Sequence, residues 1–409
     1  MSTIIGFFRR LYETVSSHIQ PQPQGRSRVL KFGIVGAKPI SPPVLIFPAK
    51  SHPEVLIHGV AARDESRDIA SGKKHGIEKT YAGPNGGYQA LLDDPEIEAI
   101  YIALRNGLQY EWTMKALAAG KHVLLGKPLA NTADETRRMF DLAEHKGLIL
   151  LEAFHYRFHP SIQRVKAIIE SGELGAVKSI SVNLMFPELT KESGDRYDYD
   201  LGDGAWMNIG CYAISCIRYL SSSDPMEVIS ATHEMDKPAS APADFVPSID
   251  RKTTATLSLP NDVIATVTCD LGIPHYLGFI PHLPQLGITV ECTGGEIELN
   301  NYVLPTIYHA IKVYTRDATG MKKYRVEKAY TFADGDMDEK GDEWWTMHRY
   351  QLEAFVDRIM VRKTLTWVDG KDSVINMEWV EKIYTMMGLG SRPWSKYVPE
   401  REGGGGMAL

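Results

Sequence analysis

Apolar runs of strand length alternate with amphipathic helical segments through the first 150 or so residues. The runs are Val29–Val35, Val55–Ala62, Ile100–Leu104, His122–Leu125 and Leu148–Leu151, and the helical segments are Glu65–His75, Tyr110–Ala119 and Ala133–Lys146. Strands that alternate with helices over short connections predict a Rossmann-type, doubly wound parallel sheet of the α/β class. Ligands of such a sheet bind at the carboxyl ends of its strands.

The pattern changes after Glu152. A helix over Ser161–Ser171 is followed by alternating apolar and polar runs, and two helices close the chain at Trp345–Met360 and Ser373–Met387. The runs are Val177–Phe186, Glu227–His233, Thr253–Leu259, Val263–Cys269, Gly287–Cys292 and Ile311–Thr315. This order predicts a C-terminal α+β domain with a large, mostly antiparallel sheet.

A chain of 409 residues is long enough for two domains. We expect an N-terminal extension at 1–27, a dinucleotide-binding domain at 28–152, a C-terminal domain at 153–395 that holds the substrate, and a flexible tail at 396–409. The proline- and glutamine-rich stretch Gln20–Gly25 favours a linker before the first strand.

Composition excludes several classes of protein. A net charge of -6 argues against nucleic acid as a partner, and no stretch reaches the roughly 20 apolar residues that a membrane span needs. Four scattered cysteines indicate a reduced, cytoplasmic setting. We expect no metal site, because His155 and His159 have no third ligand beside them.

The first strand runs into a possible phosphate turn, in which Gly36, Ala37 and Ile40 are the candidate cofactor-binding residues. Such turns hold a pyrophosphate with free backbone N–H groups. Pro39 and Pro43 have no N–H to donate, whereas Pro42 is explained as a first-turn helix residue. NADP is therefore a possible cofactor whose binding the prolines weaken.

Two further positions bear on a nucleotide. Arg63 follows the second strand, where an arginine pairs with the 2′-phosphate of NADP; a solvated surface arginine is the alternative. Asn106 follows the strand at Ile100–Leu104 and is a candidate cofactor ligand at the same edge of the sheet.

Lys127 ends the strand at His122–Leu125, and Tyr212 and Asn208 lie four residues apart on a predicted helix. A lysine paired with a tyrosine makes a plausible proton relay, since the ammonium favours the phenolate. A loop lysine and a core tyrosine are the alternatives.

The segment after the last parallel strand offers Arg157 and His159, which we place in the wall of a substrate pocket. With Lys127, Tyr212 and Asn208 they are the candidate catalytic residues. Aromatic side chains nearby would suit an apolar substrate; they are Phe154, Tyr156, Phe158 and Trp206.

From Lys31 onward these residues resemble the Gfo/Idh/MocA oxidoreductases, especially the branch of dimeric dihydrodiol dehydrogenase, fungal NADP-dependent xylose dehydrogenase and glucose–fructose oxidoreductase. The matching motifs are Gly33–Gly36, Ala61–Asp64, Ala119–Val123, Lys127-Pro128, Glu152–Phe154, Arg157–Pro160, Gly172–Gly175 and Ile209–Tyr212. The resemblance implies hydride transfer between a sugar-like alcohol and NADP, with Lys127 and Tyr212 handling the proton. It also implies a homodimer paired through the C-terminal sheet.

Three positions depart from the family pattern. Gly126 replaces a glutamate expected near the nicotinamide ribose, Gln109 replaces a histidine, and Asn208 replaces an aspartate. From these departures our main hypothesis is an enzyme repurposed for a non-redox step on a hydrophobic carbonyl compound. That step would be an isomerisation, a cyclisation or a Diels–Alder-type reaction in fungal-type secondary-metabolite biosynthesis.

Two alternatives stay open. One is an NADP-dependent oxidoreductase that acts on a sugar or a trans-dihydrodiol and uses Lys127 and Tyr212. The other is a non-catalytic, ligand-binding dimer.

Overall fold

The computed structural model describes residues 6–10, 12, 28–36, 42–61, 74–83, 87–187, 198–235, 249–277, 280, 282–316, 322–332 and 341–399. Three predicted cofactor residues, Ala37, Ile40 and Arg63, lie outside these ranges, as does Pro39. Most of the helix predicted at 65–75 and the last part of the tail also lie outside them. Within these ranges, no helix is long and apolar enough to cross a membrane.

The N-terminal sheet has six parallel strands in the order β3-β2-β1-β4-β5-β6. They are β1 (Leu30–Val35), β2 (Val55–Ala61), β3 (Lys79–Tyr81), β4 (Ala99–Ile102), β5 (His122–Leu125) and β6 (Leu150–Glu152). The order reverses between β1 and β4, which opens a crevice at their carboxyl ends. The predicted doubly wound fold is confirmed; the pattern missed only β3 among these strands, a short and half-exposed strand.

Helices flank this sheet at α1 (Phe47–Lys50), α2 (Tyr88–Leu92), α3 (Asn106–Ala118) and α4 (Ala133–His145). A π-helical turn at Pro42–Ile46 leads directly into α1. Pro43 takes the second place of that turn, where a backbone N–H has no partner within the helix. The helical segment that leads into α1 can therefore start at these two prolines. The expectation that Pro42 alone suits a first turn is wrong.

The C-terminal sheet has eight strands in the order β14-β13-β12-β11-β7-β10-β9-β8, and its only parallel pair among the described strands is β7 with β10. They are β7 (Val177–Pro187), β8 (Glu227–Met235), β9 (Asp250–Leu259), β10 (Val263–Ile273), β11 (Gln285–Cys292), β12 (Gly295–Asn300), β13 (Ala310–Arg316) and β14 (Lys322–Glu327). The predicted mostly antiparallel sheet is confirmed, although β12 and β14 were missed.

One face of the C-terminal sheet is covered by helices, which are α5 (Pro160–Glu170), α6 (Cys211–Ser221), α7 (Met347–Ile359) and α8 (Gly370–Met386). Alternate residues of its central strands are buried beneath them, as in β9, where Ala255, Leu257 and Leu259 face inward. A π-helical turn at Trp206–Gly210 precedes α6, so Asn208 and Tyr212 belong to one continuous helical segment.

Both ends of the described chain are attached to the body of the protein. Arg10 is buried, and its guanidinium donates to the carbonyl of Thr306 (3.1 Å) and to the hydroxyl of Tyr330 (3.0 Å). Near the other end, the Ser395 N–H donates to a Glu135 carboxylate oxygen at 2.6 Å. The last described residues therefore pack back onto the N-terminal domain.

Candidate active site

Lys127, Asn208 and Tyr212 meet where the carboxyl ends of the parallel strands face the C-terminal domain. Lys127 follows β5 and precedes a cis peptide bond to Pro128. Its ammonium donates to the carbonyl of Asn208 and lies 4.4 Å from the centre of the Tyr212 ring. The structure thus brings Lys127 to two residues that lie more than 80 positions further along the sequence, as the proposed relay requires.

The Tyr212 hydroxyl has a histidine partner that the sequence did not point to. His155 lies just after β6, and its Nδ1 is 2.6 Å from the Tyr212 oxygen. The His155 ring also lies against that of His348 on α7, with 4.4 Å between their centres. The contact with His155 fixes the position of the Tyr212 hydroxyl and gives its proton a titratable neighbour.

Burial dominates the electrostatics of this cluster. It lowers the pKa of Lys127 and raises the pKa of Tyr212 well above its usual range. It also lowers the pKa of His155 well below its ordinary value and that of His348 to about 4. Tyr212 is therefore a protonated donor in this state of the protein.

A chain of side-chain amides continues from Asn208 to helix α3. The Asn106 side-chain nitrogen lies 3.4 Å from Asn208 Oδ1 and 3.3 Å from the carbonyl of Gly202. One turn along α3, the Gln109 nitrogen donates to Asn106 Oδ1 at 3.3 Å. Asn106, the predicted cofactor residue, is therefore part of the same cluster as Lys127.

The glycine-rich turn that carries Gly202 is held from behind by charged groups. Arg105 pairs with Asp203, and the fully buried Arg392 pairs with the fully buried Asp250 at 3.2 Å. Asp250 also accepts a hydrogen bond from the backbone N–H of Trp206 at 2.6 Å. The turn is thereby fixed against the start of the helical segment that carries Tyr212.

Glu152 lies at the end of β6, opposite Leu125 of β5, and is fully buried. Neither of its carboxylate oxygens has a hydrogen-bond partner of good geometry in the described structure. Burial raises the pKa of this carboxyl to about 8, so Glu152 is neutral at pH 7. A neutral acid behind Lys127 adds no counter-charge to the cluster.

Gly36 is the described residue of the predicted phosphate turn, and its conformation fits a bound nucleotide. Gly36 ends β1 with a φ of 90°, and a Cβ there would come within 2.7 Å of the carbonyl oxygen of Ala103, after β4. Only glycine allows this close approach of the two strand ends at the crevice. Gly36 and Asn106 are thus placed on the two sides of the switch point where dinucleotides bind.

Arg157 and His159 do not join this cluster. Arg157 pairs with Asp372 of α8 at 2.9 Å and lies beside a separate cavity of 410 Å³ that neither Lys127 nor Tyr212 lines. His159 is completely buried, and its Nδ1 accepts from the Ser161 N–H as the N-cap of α5. Their contacts are those of an ion pair within the C-terminal domain and a helix cap, which corrects their predicted place in a substrate pocket.

The aromatic wall is also corrected. Trp206 is fully buried against Gly210, and its ring nitrogen donates to the Val380 carbonyl at 3.2 Å. The other aromatic side chains of the predicted wall are core residues as well, at most 2% exposed; they are Phe154, Tyr156 and Phe158. An apolar substrate is therefore no longer favoured, because these aromatic side chains pack into the core.

Sequence reasoning missed Gln109, His155 and Glu152 as neighbours of the predicted residues. A signal was present for Gln109, which stands where the family pattern has a histidine. His155 and Glu152 lie at the carboxyl end of β6, the sheet edge where ligands of this fold bind.

Two family models match this chain. Residues 30–154 match the Gfo/Idh/MocA oxidoreductase family, NAD-binding Rossmann fold, and residues 162–298 match the Gfo/Idh/MocA C-terminal domain.

Similar curated proteins are oxidoreductases. A D-xylose 1-dehydrogenase (NADP(+)) of Haloferax volcanii is 31% identical over 87% of this chain and 96% of its own. A dTDP-3,4-didehydro-2,6-dideoxy-α-D-glucose 3-reductase of Actinomadura kijaniata is 31% identical over 51% of this chain and 61% of its own. The trans-1,2-dihydrobenzene-1,2-diol dehydrogenase of Sus scrofa is 29% identical over 59% and 68%.

Solved structures share the fold. The 3-ketoreductase KijD10 of Actinomadura kijaniata, in complex with NADP and TDP-benzene, has a TM-score of 0.70 at 21% identity, over 88% of this chain and 98% of that one. The aldose-aldose oxidoreductase of Caulobacter crescentus gives 0.71 at 18% identity over the same shares.

These relatives contradict our main hypothesis of a non-redox step. The curated relatives named above, which match from 51% to 87% of this chain, are oxidoreductases, and none of them is an isomerase or a cyclase. The comparisons favour the alternative of an oxidoreductase, and the hypothesis of an isomerisation, a cyclisation or a Diels–Alder-type reaction is wrong.

Proposed function

The chain belongs to the Gfo/Idh/MocA oxidoreductase family, and on that premise we propose that it is an NADP-dependent oxidoreductase of a sugar or a diol. The observation that carries this proposal is the contact of Lys127 with Asn208 and with the Tyr212 ring at the sheet edge where dinucleotides bind.

Gly36 and Asn106 would hold the cofactor at the switch point, and the bound NADP(H) supplies the hydride chemistry. Tyr212 donates its proton to the carbonyl oxygen of the substrate during reduction and takes it back during alcohol oxidation. Lys127 holds Asn208 through its carbonyl and places a positive charge 4.4 Å from the Tyr212 ring, which stabilises the phenolate formed in each turnover. His155, 2.6 Å from the tyrosine oxygen, keeps the hydroxyl in place.

The preference for NADP over NAD is assigned to Arg63. This residue follows the second strand of the sheet, where an arginine pairs with the adenosine 2′-phosphate in dinucleotide-binding domains. Arg63→Ala is expected to weaken NADPH binding by tenfold or more and to leave NADH binding within about twofold.

A polar substrate suits the amides of the site. Asn106 and Gln109 are buried, Asn208 is half-buried, and they provide both donors and acceptors to hydroxyl groups. The named relatives act on xylose, a deoxysugar nucleotide and a dihydrodiol, which are all polyhydroxylated or sugar-derived.

The experiment that tests the function is a titration of the purified chain with NADPH, followed by its fluorescence, and then a screen of pentoses, hexoses and dihydrodiols with NADP. Tight, micromolar binding and substrate-dependent NADPH formation are the expected results. A folded protein that does not bind millimolar NADPH would refute the proposal.

A homodimer through the open face of the C-terminal sheet is part of the proposal. That face carries small hydroxyl side chains on neighbouring strands, as where Ser181 and Thr266 meet at 2.8 Å, and Ile264 beside them is 37% exposed. Rows of hydroxyl side chains on this face suit the same face of another copy. Thr266→Arg is expected to give monomers in light scattering.

A further inference from the structure

Gln109 is a buried residue with an unused hydrogen-bonding atom. It lies in the first turn of α3, beside the carboxyl end of β4, and is 1% exposed. Its side-chain nitrogen donates to Asn106, but Oε1 has no partner within the described structure. A buried acceptor without a donor is destabilising and calls for an explanation.

The contacts of Asn106 determine which end of Gln109 is left free. The carbonyl of Gly202 can only accept, so Asn106 must turn its nitrogen toward it. Asn106 Oδ1 then faces Gln109 and takes a hydrogen bond from its nitrogen at 3.3 Å. Gln109 Oε1 is consequently the atom left without a hydrogen-bond partner, and it can only accept a hydrogen bond.

The free oxygen faces the residue before Lys127. An ideal Cβ built on Gly126 would lie 3.6 Å from Gln109 Oε1 and 3.5 Å from the nearest backbone oxygen. These are ordinary contact distances, so the backbone does not require glycine at this position. The glycine leaves Gln109 Oε1, although buried, without a side-chain neighbour at the position before Lys127.

We infer that Gln109 is a ligand-binding residue whose Oε1 accepts a hydrogen bond from a hydrogen-bond donor, such as a hydroxyl or carboxamide group, of the molecule bound next to Lys127. Anionic groups are excluded, because a phosphate or carboxylate has no proton to offer this oxygen. The inference rests on the proposed function, in which the donor belongs either to the cofactor or to the polyhydroxylated substrate.

Two variants test the inference by different routes. Gln109→Met keeps the length of the side chain and removes the acceptor. Gly126→Ala leaves Gln109 and its contact with Asn106 in place, and puts a methyl group against Oε1. If the role of Gln109 is only to pack and to hold Asn106, the second variant binds its ligands normally.

The measurements are the Kd of NADPH by fluorescence and the KM of the substrate found in the screen, with unfolding temperature as a check on folding. We expect both variants to lose at least tenfold in one of the two constants. A change in Kd assigns the donor to the cofactor, and a change in KM with constant Kd assigns it to the substrate.

Matched controls are available in the same protein. Thr136→Val removes a buried hydroxyl of α4 that donates to the Thr132 carbonyl at 3.0 Å, and Gly287→Ala adds a methyl group to a strand glycine that has room for it. Both are expected to bind like the wild type. Unchanged constants in Gln109→Met and Gly126→Ala would overturn the inference, whereas a wild-type protein that binds no NADPH would overturn the proposed function as well.

Discussion

The two edges of the parallel sheet differ in how their lysines are paired. At the amino edge, Lys31 lies 2.5 Å from Glu96, and Lys79 lies 2.9 Å from Asp94 and 2.6 Å from Glu96. At the carboxyl edge, Lys127 has no carboxylate partner among the described ion pairs, and Gln109 Oε1 lacks a donor. Gln109 Oε1 is therefore an atom at the carboxyl edge that a bound ligand can pair.

Two glutamates show the same contrast in their titration. Lys31 and Lys79 lower the pKa of Glu96 to about 2, because its charge is paired at the surface. Burial raises the pKa of Glu152 to about 8, since its charge would be left in an apolar environment. One sheet thus holds one carboxyl permanently ionised and another neutral at pH 7.

The amino edge also gathers possible metal ligands. His58, Asp94 and Glu96 each offer an atom within 4.8 Å of the others. The ammonium of Lys79 already lies against both acids, and His58 lies 3.2 Å from Glu96. These charges balance each other without an ion, so we explain the cluster by its own pairing.

The largest effect at the carboxyl edge is expected when its proton donor is removed. Tyr212→Phe is expected to lower kcat by about 10²–10⁴-fold, the usual contribution of a positioned acid or base, with little change in the Kd of NADPH. Tyr156→Phe is the control, because that buried hydroxyl binds Ser215 at 2.8 Å. Equal losses of kcat in the two variants would argue against a catalytic role for Tyr212.

A buried ion pair near this edge allows a comparison with the exposed pairs of the amino edge. Arg392→Met leaves Asp250 charged and fully buried, which is expected to cost about 3–5 kcal/mol in the free energy of unfolding. The double variant Arg392→Met/Asp250→Asn should recover part of that loss. Urea denaturation measures both, and a loss below about 1 kcal/mol in the single variant would contradict the expectation.

Glu152→Gln tests the neutral carboxyl. In the folded protein the proton is held up to pH 8, whereas the unfolded chain releases it near pH 4.5. Folding therefore takes up a proton between these values, and the stability that Glu152 contributes is lost as the pH rises through this window. Glutamine does not titrate, so the variant should be more stable by about 1–3 kcal/mol at pH 7.

At pH 4, where Glu152 is protonated in both states, wild type and Glu152→Gln should unfold at similar temperatures. Thermal unfolding from pH 4 to pH 8 measures the difference. If the difference in unfolding temperature between wild type and variant does not grow with pH, Glu152 is ionised in the folded protein.

The smallest effect is expected at the amino edge. Lys31→Met removes one partner of Glu96 while Lys79 remains, and half-exposed pairs of this kind contribute at most about 1 kcal/mol. The difference should shrink further in 1 M salt. A loss of several kcal/mol in the free energy of unfolding, measured by urea denaturation, would mean that this exposed pair contributes as much as the buried pair of Arg392 and Asp250.

Periodicity predicted the long strands and helices, because each repeats one apolar face over many residues. It missed β3, β12 and β14, whose short or half-exposed runs bury little of their surface. Helix caps were not assigned either, although Thr132 with Glu135 and Asp369 with Asp372 have the spacing of N-terminal caps.

The candidate site was predicted only in part. Lys127, Asn208, Tyr212 and Asn106 come together as the motifs implied, whereas Arg157 and His159 were assigned from their residue types and belong to structural contacts. Function was misjudged because three departures from the family pattern were counted as losses. The structure places one of them, Gln109, where it offers a hydrogen bond of its own.

The sequence by itself determined the two-domain fold class, the family and the strand ends from which the site is built, because these depend on local periodicity and contiguous motifs. Tertiary structure decided which polar atoms are paired and which are free, and hence the sign of each pKa shift. Burial and partners are contributed by residues such as Gly202, Asp250 and His348, which lie far from Lys127 along the chain. No periodicity in the sequence records those distances.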